Sequence, residues 1–274
     1  MPERYKTRLP RASLSGVVRR LWRYCGGGGG MRVERIPPDG CAEIIVNLGA
    51  AYKERTPEGA LIDQPAALFA GQLTKPLALV AEGGVETIGL RFEPDGARDF
   101  FAAPMSLATD RRIGLDRLLG VDAPRLMARL AAAGEDERFA VLEDMVEARI
   151  AGAPKDAAVA EAVRKLTNGE PVRAKGISSR QLQRRFKDRV GVSMREFSSI
   201  LRFRRIFDRI ETEPDWTRVS LAAGYFDQAQ MAKDFRRYLG ATAREWARAR
   251  VGLGHAIAGE MSHSYKKDAA PAAK

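Results

Sequence analysis

The sequence predicts an α+β chain with a β-rich N-terminal domain, a helical linker and an all-α C-terminal domain. Three observations carry this. Apolar residues partly alternate along CAEIIVNLG (41–49) and VETIGLRF (85–92), the pattern of half-buried strands. From Leu115 onward they recur at helical spacing instead. Near the C-terminal end, a 20-residue segment occurs twice at an offset of 49 residues. A chain of 274 residues is long enough for two domains, each expected to carry its own core.

In the first strand Ile44, Val46 and Leu48 share a face, and in the second Ile88, Leu90 and Phe92 do. The turn signals PPDG (37–40), Gly83-Gly84 and EPDG (93–96) border them. The glycines from Gly26 to Gly30 read as a mobile surface loop; no Lys-Ser/Thr follows them, so a phosphate cradle is not indicated. LDRLLG and ERFAVLEDMVEARIAG then read as helices. In the latter, Phe139, Leu142, Met145, Val146 and Ile150 form one stripe, read as core, with a homodimer contact as the alternative. AGAPKD (151–156) reads as a connector. The expected boundaries are 1–114 for the β-rich domain, 115–153 for the linker, 154–250 for the helical domain and 251–274 for a polar flexible tail.

Several chemistries are excluded. The only histidines, His255 and His263, lie in the tail, which removes Ser-His-Asp and Cys-His catalysis and imidazole metal sites from the rest of the chain. Cys25 and Cys41 are too few for a disulfide scaffold or a four-thiolate zinc site and read as buried, reduced thiols. No metal or cofactor is expected. The first residues lack a signal-peptide pattern and no apolar run reaches membrane length, so a cytoplasmic location and no membrane partner are expected. Net charge is +11, and residues 173–250 hold 19 Lys+Arg against 9 Asp+Glu, a net of +10. That concentration suits a phosphate-binding surface or a solvated basic face.

The repeat aligns SSRQLQRRFKDRVGVSMREF (178–197) with DQAQMAKDFRRYLGATAREW (227–246). Ser178 and Asp227 each precede a glutamine by three positions, a capping-box pattern that starts a helix. Gly191 and Gly240 stop those helices, and Ser193 with Glu196 and Thr242 with Glu245 open the next ones. Leu182 and Phe186 point inward while Arg180, Gln183, Arg184 and Lys187 point away. In the second copy Met231 and Phe235 face inward, and Ala229, Ala232, Lys233 and Arg236 outward. WTRVSLAA reads as a short helix before the second copy, with Ser220 and Gly224 small enough for a close helix crossing. Trp216 and Trp246 read as core aromatics.

SRQLQRRF, GVSMREF and LAAGYFDQAQMAKDFRRYLGATAREW, at this separation, resemble the AraC/XylS-type bacterial transcription regulators across about residues 156–248. The resemblance implies two helix-turn-helix units, joined by a long helix here at about Ser193 to Ile210, that place their second helices in successive major grooves. It implies a sequence-specific, nucleoid-associated DNA-binding regulator of promoters, with no enzymatic activity and with RNA polymerase as a partner. By position, the DNA-facing residues are Arg180, Gln181, Gln183 and Arg184, with Lys187, in the first unit; in the second they are Gln228, Ala229, Gln230 and Lys233, with Arg236 and Arg237. Such regulators usually carry histidine where Gln230 stands and proline where Ala243 stands. The segment GEPVRAK before Gly176 is also about one turn shorter than their first positioning helix. PPDGCAEIIVNLG and GLRFEPDGA are similar to their sensory or partner-binding domains, which implies a cupin-like or related barrel and a small-molecule effector or protein partner.

Two other classes compete. A DNA-repair alkyltransferase with a similar reading head would need Cys25 or Cys41 as acceptor, and no histidine in 1–254 could activate either thiol. A non-specific architectural binder would more often show apolar wedges or basic tails than mixed Gln and Arg faces.

Overall fold

The computed structural model describes residues 4–26, 32–152, 155–207 and 215–249. Ten antiparallel strands among them form two sheets. The larger has the order β1 (Arg4–Arg8), β2 (Val18–Gly26), β9 (Val85–Phe92), β4 (Glu43–Asn47), β7 (Ala67–Ala70) and β10 (Arg112–Gly114). The smaller has the order β3 (Arg32–Ile36), β8 (Leu77–Ala81), β5 (Lys53–Arg55) and β6 (Leu61–Asp63).

The two strands legible from alternation lie side by side at the centre of the larger sheet, where Ile44 faces Leu90 and Val46 faces Ile88 in register. Period-two geometry sends these four side chains, with Phe69 and Phe92, to one face. There they pack against α1 (Ala97–Phe101), α2 (Leu115–Leu119), α3 (Asp122–Ala132) and α4 (Glu137–Ile150). Phe69 stacks on Phe101 with ring centroids 5.2 Å apart and on Phe100 at 6.0 Å. Ile45, Glu43, Thr87 and Arg91 go to the other face, toward the smaller sheet. Trp22, paired with Gly89, lies flat across it: a Cβ at Gly89 would sit 2.2 Å from Trp22 Cε2, so the indole occupies the space of the missing side chain.

The expected closed barrel is not formed. β1 and β10 end the larger sheet at opposite edges, and α4 shields the β1 edge through Lys6–Asp136, Arg8–Glu143 and a fan of contacts from Arg11 to Glu143, Asp144 and Glu147. A charged, covered edge needs no partner strand. The stripe Phe139, Leu142, Val146 is buried in the core under this sheet, with Met145 and Ile150 partly buried beside it. The surface considered for a dimer is therefore used within the chain. Of the glycine run only Gly26, the end of β2, is described; Gly27–Gly30 and the tail 251–274 lie outside the described residues.

The helical region comprises α5 (Ala157–Asn168), α6 (Ser179–Val190), α7 (Met194–Arg204), α8 (Trp216–Ala222), α9 (Gln228–Leu239) and α10 (Ala243–Ala249). Separate cores for the two halves were expected: the face of the larger sheet under α1–α4 has its own, and so does the first helical unit, in Val159, Leu182, Phe186, Val190 and Phe197. The second unit shares a single cluster with the sheets, in which Phe203, Phe235, Tyr238 and Leu239 join Trp22, Tyr52, Leu77 and Leu79.

Candidate nucleic-acid interface

Each repeat is punctuated as its sequence requires. Ser178 Oγ accepts the Gln181 amide at 3.2 Å while Gln181 Oε1 accepts the Ser178 amide at 2.9 Å, a complete capping box at the start of α6. Asp227 caps α9 by accepting the Gln230 amide at 2.7 Å, but Gln230 Oε1 reaches one residue further back, to the Phe226 amide at 3.2 Å. Gly191 and Gly240 end α6 and α9 in the left-handed region, at φ 94° and 60°. Ser193 caps α7, and Thr242 with Glu245 forms a second complete box before α10.

The buried stripes Leu182–Phe186–Val190 of α6 and Met231–Phe235–Tyr238 of α9 turn the opposite arcs outward. Arg180, Gln181, Gln183, Arg184 and Lys187 are exposed on α6, and Gln228, Ala229, Gln230, Lys233, Arg236 and Arg237 on α9. Among the described residues Arg180, Arg184, Lys187, Lys233 and Arg236 make no ion pair within 4.0 Å, and of these Arg236 adds to the Thr242 bonds in holding the Glu245 carboxyl below its usual range. Arg237 is different: its guanidinium holds both oxygens of Glu196 at 2.7 Å and lies 4.8 Å over the Tyr238 ring, which ties α9 to α7. Gln228 Nε2 donates to Thr217 Oγ1 at 2.6 Å, so it too is engaged inside the second unit.

Buried polar contacts hold the second unit together. Asp234 accepts from Tyr225 Oη at 2.9 Å and from Arg202 at 3.2 Å, and the Arg202 guanidinium lies 4.7 Å over the Tyr225 ring. Burial and the adjacent Asp234 carboxylate push the Tyr225 phenol well above its usual range, so it is a constant donor. Between α8 and α9 the chain turns at Gly224, with φ +89°. A Cβ there would meet nothing within 4 Å, which corrects the expected close crossing: Gly224 supplies a backbone conformation, not space. Ser220 is buried, and its carbonyl accepts the Tyr225 amide at 3.0 Å. Phe226, which sequence reasoning passed over, follows directly and is 89% exposed at the entrance to α9. Its position after the glycine turn was the available signal.

The first unit departs further from a two-helix reader than its shortened segment suggested. No helix is present between α5 and α6; residues 170–178 run as coil and bends. Asp156 caps α5 and also grips Arg185 of α6 through two bonds of 2.6 and 2.7 Å. Burial alone would raise the Asp156 carboxyl; the Arg185 bonds and the Val159 amide hold it below the usual range. The end of α6 is seated on the N-terminal domain. Thr109 Oγ1 donates to the Gly191 carbonyl at 2.9 Å, Arg98 pairs with Asp188 at 3.0 Å, and Arg189 with Asp99 at 2.6 Å. The end of α9 is held from the same side, where Arg35 donates to the Leu239 and Gly240 carbonyls at 3.2 and 3.0 Å.

The joining helix is also shorter than the expected span. α7 ends at Arg204: the Arg205 amide still bonds the Leu201 carbonyl at 3.2 Å, and the Ile206 amide tightens onto the Phe203 carbonyl at 3.1 Å; Asp208–Ile210 lie outside the described residues. At the break, Arg204 donates to the Asp39 carbonyl at 2.7 Å and Arg205 to the Thr167 carbonyl at 3.1 Å, so each side chain is drawn to a different neighbour.

Two capped helices with outward cationic arcs, one of them preceded by a short helix and a glycine turn, define a helix-turn-helix arrangement of the kind that binds DNA. Residues 172–249 match a family described as a helix-turn-helix domain, and that region is a helix-turn-helix domain. Residues 6–114 match a family described as a domain of unknown function. No curated protein matches the chain. Among solved structures, ToxT from Vibrio cholerae O395 is 9% identical with a TM-score of 0.44, over 91% of this chain and 99% of that one. The same protein bound to (E)-4-(8-methylnaphthalen-1-yl)but-3-enoic acid is 9% identical with a TM-score of 0.44, over 88% and 97%. The AraC-like transcriptional activator CuxR is 13% identical with a TM-score of 0.30, over 95% and 91%.

Both cysteines are buried, and burial pushes the Cys41 thiol up to about 12 and the Cys25 thiol above its usual value. Neither suits a nucleophilic acceptor. The folded protein at pH 8 is expected to leave both thiols unreacted with a colorimetric disulfide reagent, and to release two equivalents once unfolded. Rapid reaction of one thiol in the folded state would revive the alkyl-acceptor reading.

Proposed function

We propose that the chain binds one asymmetric promoter site by presenting α6 and α9 to adjacent major grooves, with the N-terminal domain setting how the two helices are held. The observation that carries this is the pairing of free outer faces with tethered ends. Arg180, Arg184, Lys187, Lys233 and Arg236 make no ion pair, while Gly191 and Gly240, where the two helices stop, are both bonded to the N-terminal domain. The proposed DNA contacts are Arg180, Gln181, Gln183, Arg184 and Lys187 from α6, and Gln228, Ala229, Gln230, Lys233 and Arg236 from α9. Phe226 is added for apolar contact with a thymine methyl. Arg237 is reassigned to internal support.

The N-terminal domain is the regulatory half in this reading, and it answers a small-molecule effector or a protein partner. RNA polymerase is the downstream partner, a cytoplasmic, nucleoid-associated location follows, and no catalytic role is assigned. No helix among the described residues is long and apolar enough to cross a membrane. A homodimer would need a surface other than the buried Phe139 stripe.

The test is a binding-site selection on random duplexes followed by salt titration. A defined sequence motif is expected, with log K falling against log salt at a slope of about −3 to −5, the release expected from roughly four or five neutralised phosphates. Equal affinity for all duplexes would remove sequence-specific regulation, and a slope near zero would remove the cationic arcs from the interface.

A further inference from the structure

Between the two sheets lies a cavity of about 60 Å³. Its walls are mainly apolar, with Trp22, Ile45, Tyr52, Leu68, Leu77 and Leu79 prominent, and the charged groups on its lining are Asp39, Glu43, Arg91 and Arg112. Both cations are already matched. Arg91 is bound by Glu43 at 2.5 Å and faces Asp39 at 3.2 Å; Arg112 is bound by Glu54, one bond being 2.8 Å, and donates to the Asp110 carbonyl at 2.7 Å. No guanidinium is left to receive an anionic headgroup. Asp39 is 9% exposed, and its Oδ2 accepts no hydrogen bond, having only the Arg91 guanidinium nearby. Trp22 Nε1, on the same wall, has no hydrogen-bond acceptor either, so the cavity presents one unpaired acceptor and one unpaired donor.

Size narrows the ligand further. At roughly 10–15 Å³ for each water-sized occupant, a space of 60 Å³ takes about four to six non-hydrogen atoms.

The loop from Pro37 to Cys41 separates this cavity from the joining helix α7. Pro37, Asp39 and Cys41 line the cavity. On its other side the Asp39 carbonyl accepts Arg204 at 2.7 Å, and Gly40 is so close to α7 that a Cβ would sit 2.9 Å from Phe197 Cε2. Gln72 Nε2 holds the Gly40 carbonyl at 2.8 Å. A ligand bonded to Asp39 therefore pulls on a loop packed against the helix that joins the two DNA-reading units.

We propose that this cavity binds a small, uncharged, largely apolar molecule whose polar group both donates and accepts hydrogen bonds, such as a short alcohol or primary amide, and that the loop 37–41 passes its occupancy to α7. The regulatory part rests on the proposed DNA-binding reading; the site itself does not.

The experiment uses the full chain without DNA and a size-matched set of probes: butan-1-ol, butyramide, butyrate and butylammonium. Ligand-observed NMR and calorimetry should show saturable binding of the alcohol and amide, with the anion and cation at least about tenfold weaker because each brings an uncompensated charge into a balanced, buried site. Ala70→Leu, which fills the cavity from β7, should abolish binding while the thermal midpoint holds. Leu77→Ala, which enlarges it, should shift preference toward hexan-1-ol, and so gives a second readout if the first variant folds poorly. Tighter binding of butyrate or butylammonium overturns the ligand class. Alcohol binding unchanged in both variants overturns the site. Saturation that leaves DNA affinity unchanged overturns the relay alone, and no saturable alcohol binding by the unsubstituted chain, with its DNA specificity intact, overturns the site while sparing the regulator.

Discussion

Asp234→Ala is expected to lower stability by about 3 kcal/mol, because it strands two buried donors at once. Asp234 is 8% exposed on α9, and its carboxylate receives Tyr225 Oη and Arg202. Removing it leaves the Tyr225 hydroxyl without its acceptor, and burial, the largest cause of its raised phenol, remains in the variant. It also leaves the Arg202 guanidinium with only the Tyr225 ring beneath it. The side chain of Arg202 is 28% exposed, so water offsets part of its loss and the upper end of the range for broken buried pairs is not reached. The thermal midpoint should fall by roughly 6–12 °C for a protein of this size. Asp234→Asn keeps an acceptor for one partner and should fall about half as far. A midpoint within about 2 °C of the parent would mean that the triad does not hold α9 in place.

That triad was not legible in the sequence, and the reason is general to this chain. Features fixed by local geometry were readable: the caps at Ser178 and Asp227, the glycine stops at Gly191 and Gly240, and the period-two faces of β4 and β9 each depend on residues a few positions apart. Arg202, Tyr225 and Asp234 are joined only when three separate elements meet, and nothing in their spacing announces it. The same holds for the contacts that place the two units. Thr109 with Gly191, Arg35 with Gly240 and Arg204 with the Asp39 carbonyl are separated by 82, 205 and 165 positions.

Arg237 shows the limit in the other direction. An exposed arginine on the outward arc reads as a phosphate contact, yet Glu196, itself identified as a capping residue, turns to it. The box at Ser193 is consequently half made, with the Glu196 amide bonded and its carboxylate spent on α9. The barrel expectation failed for a similar reason. Strand periodicity gives faces but not pairing order, and the order leaves β1 and β10 at opposite edges.

Arg184→Ala should cost roughly 1–3 kcal/mol of DNA-binding free energy and relax preference at one or two base pairs, because the first unit keeps the freer readers. On α6, Arg180, Gln183 and Arg184 are exposed and carry no internal bond among the described residues, whereas on α9 Gln228 is bonded to Thr217 and Gln230 to the Phe226 amide. Ala229 offers no polar group there, which leaves Lys233 as the main candidate for base contact. The missing helix between α5 and α6 could have tilted α6 away from the groove. Asp156 and the N-terminal domain take its place: Arg185 fixes the middle of α6, and Thr109, Arg98 and Asp99 fix its end. α6 is thus positioned by contacts that a two-helix unit would not need, and its reading should depend on them. Arg236→Ala, at an exposed cation without an ion pair beyond the base-facing turn, should weaken all sequences alike. Binding-site selection on the three single variants Arg184→Ala, Lys233→Ala and Arg236→Ala decides between the units. An unchanged motif for Arg184→Ala, with a degraded one for Lys233→Ala, would show that α9 is the dominant reader and that the N-terminal domain holds α6 off the bases.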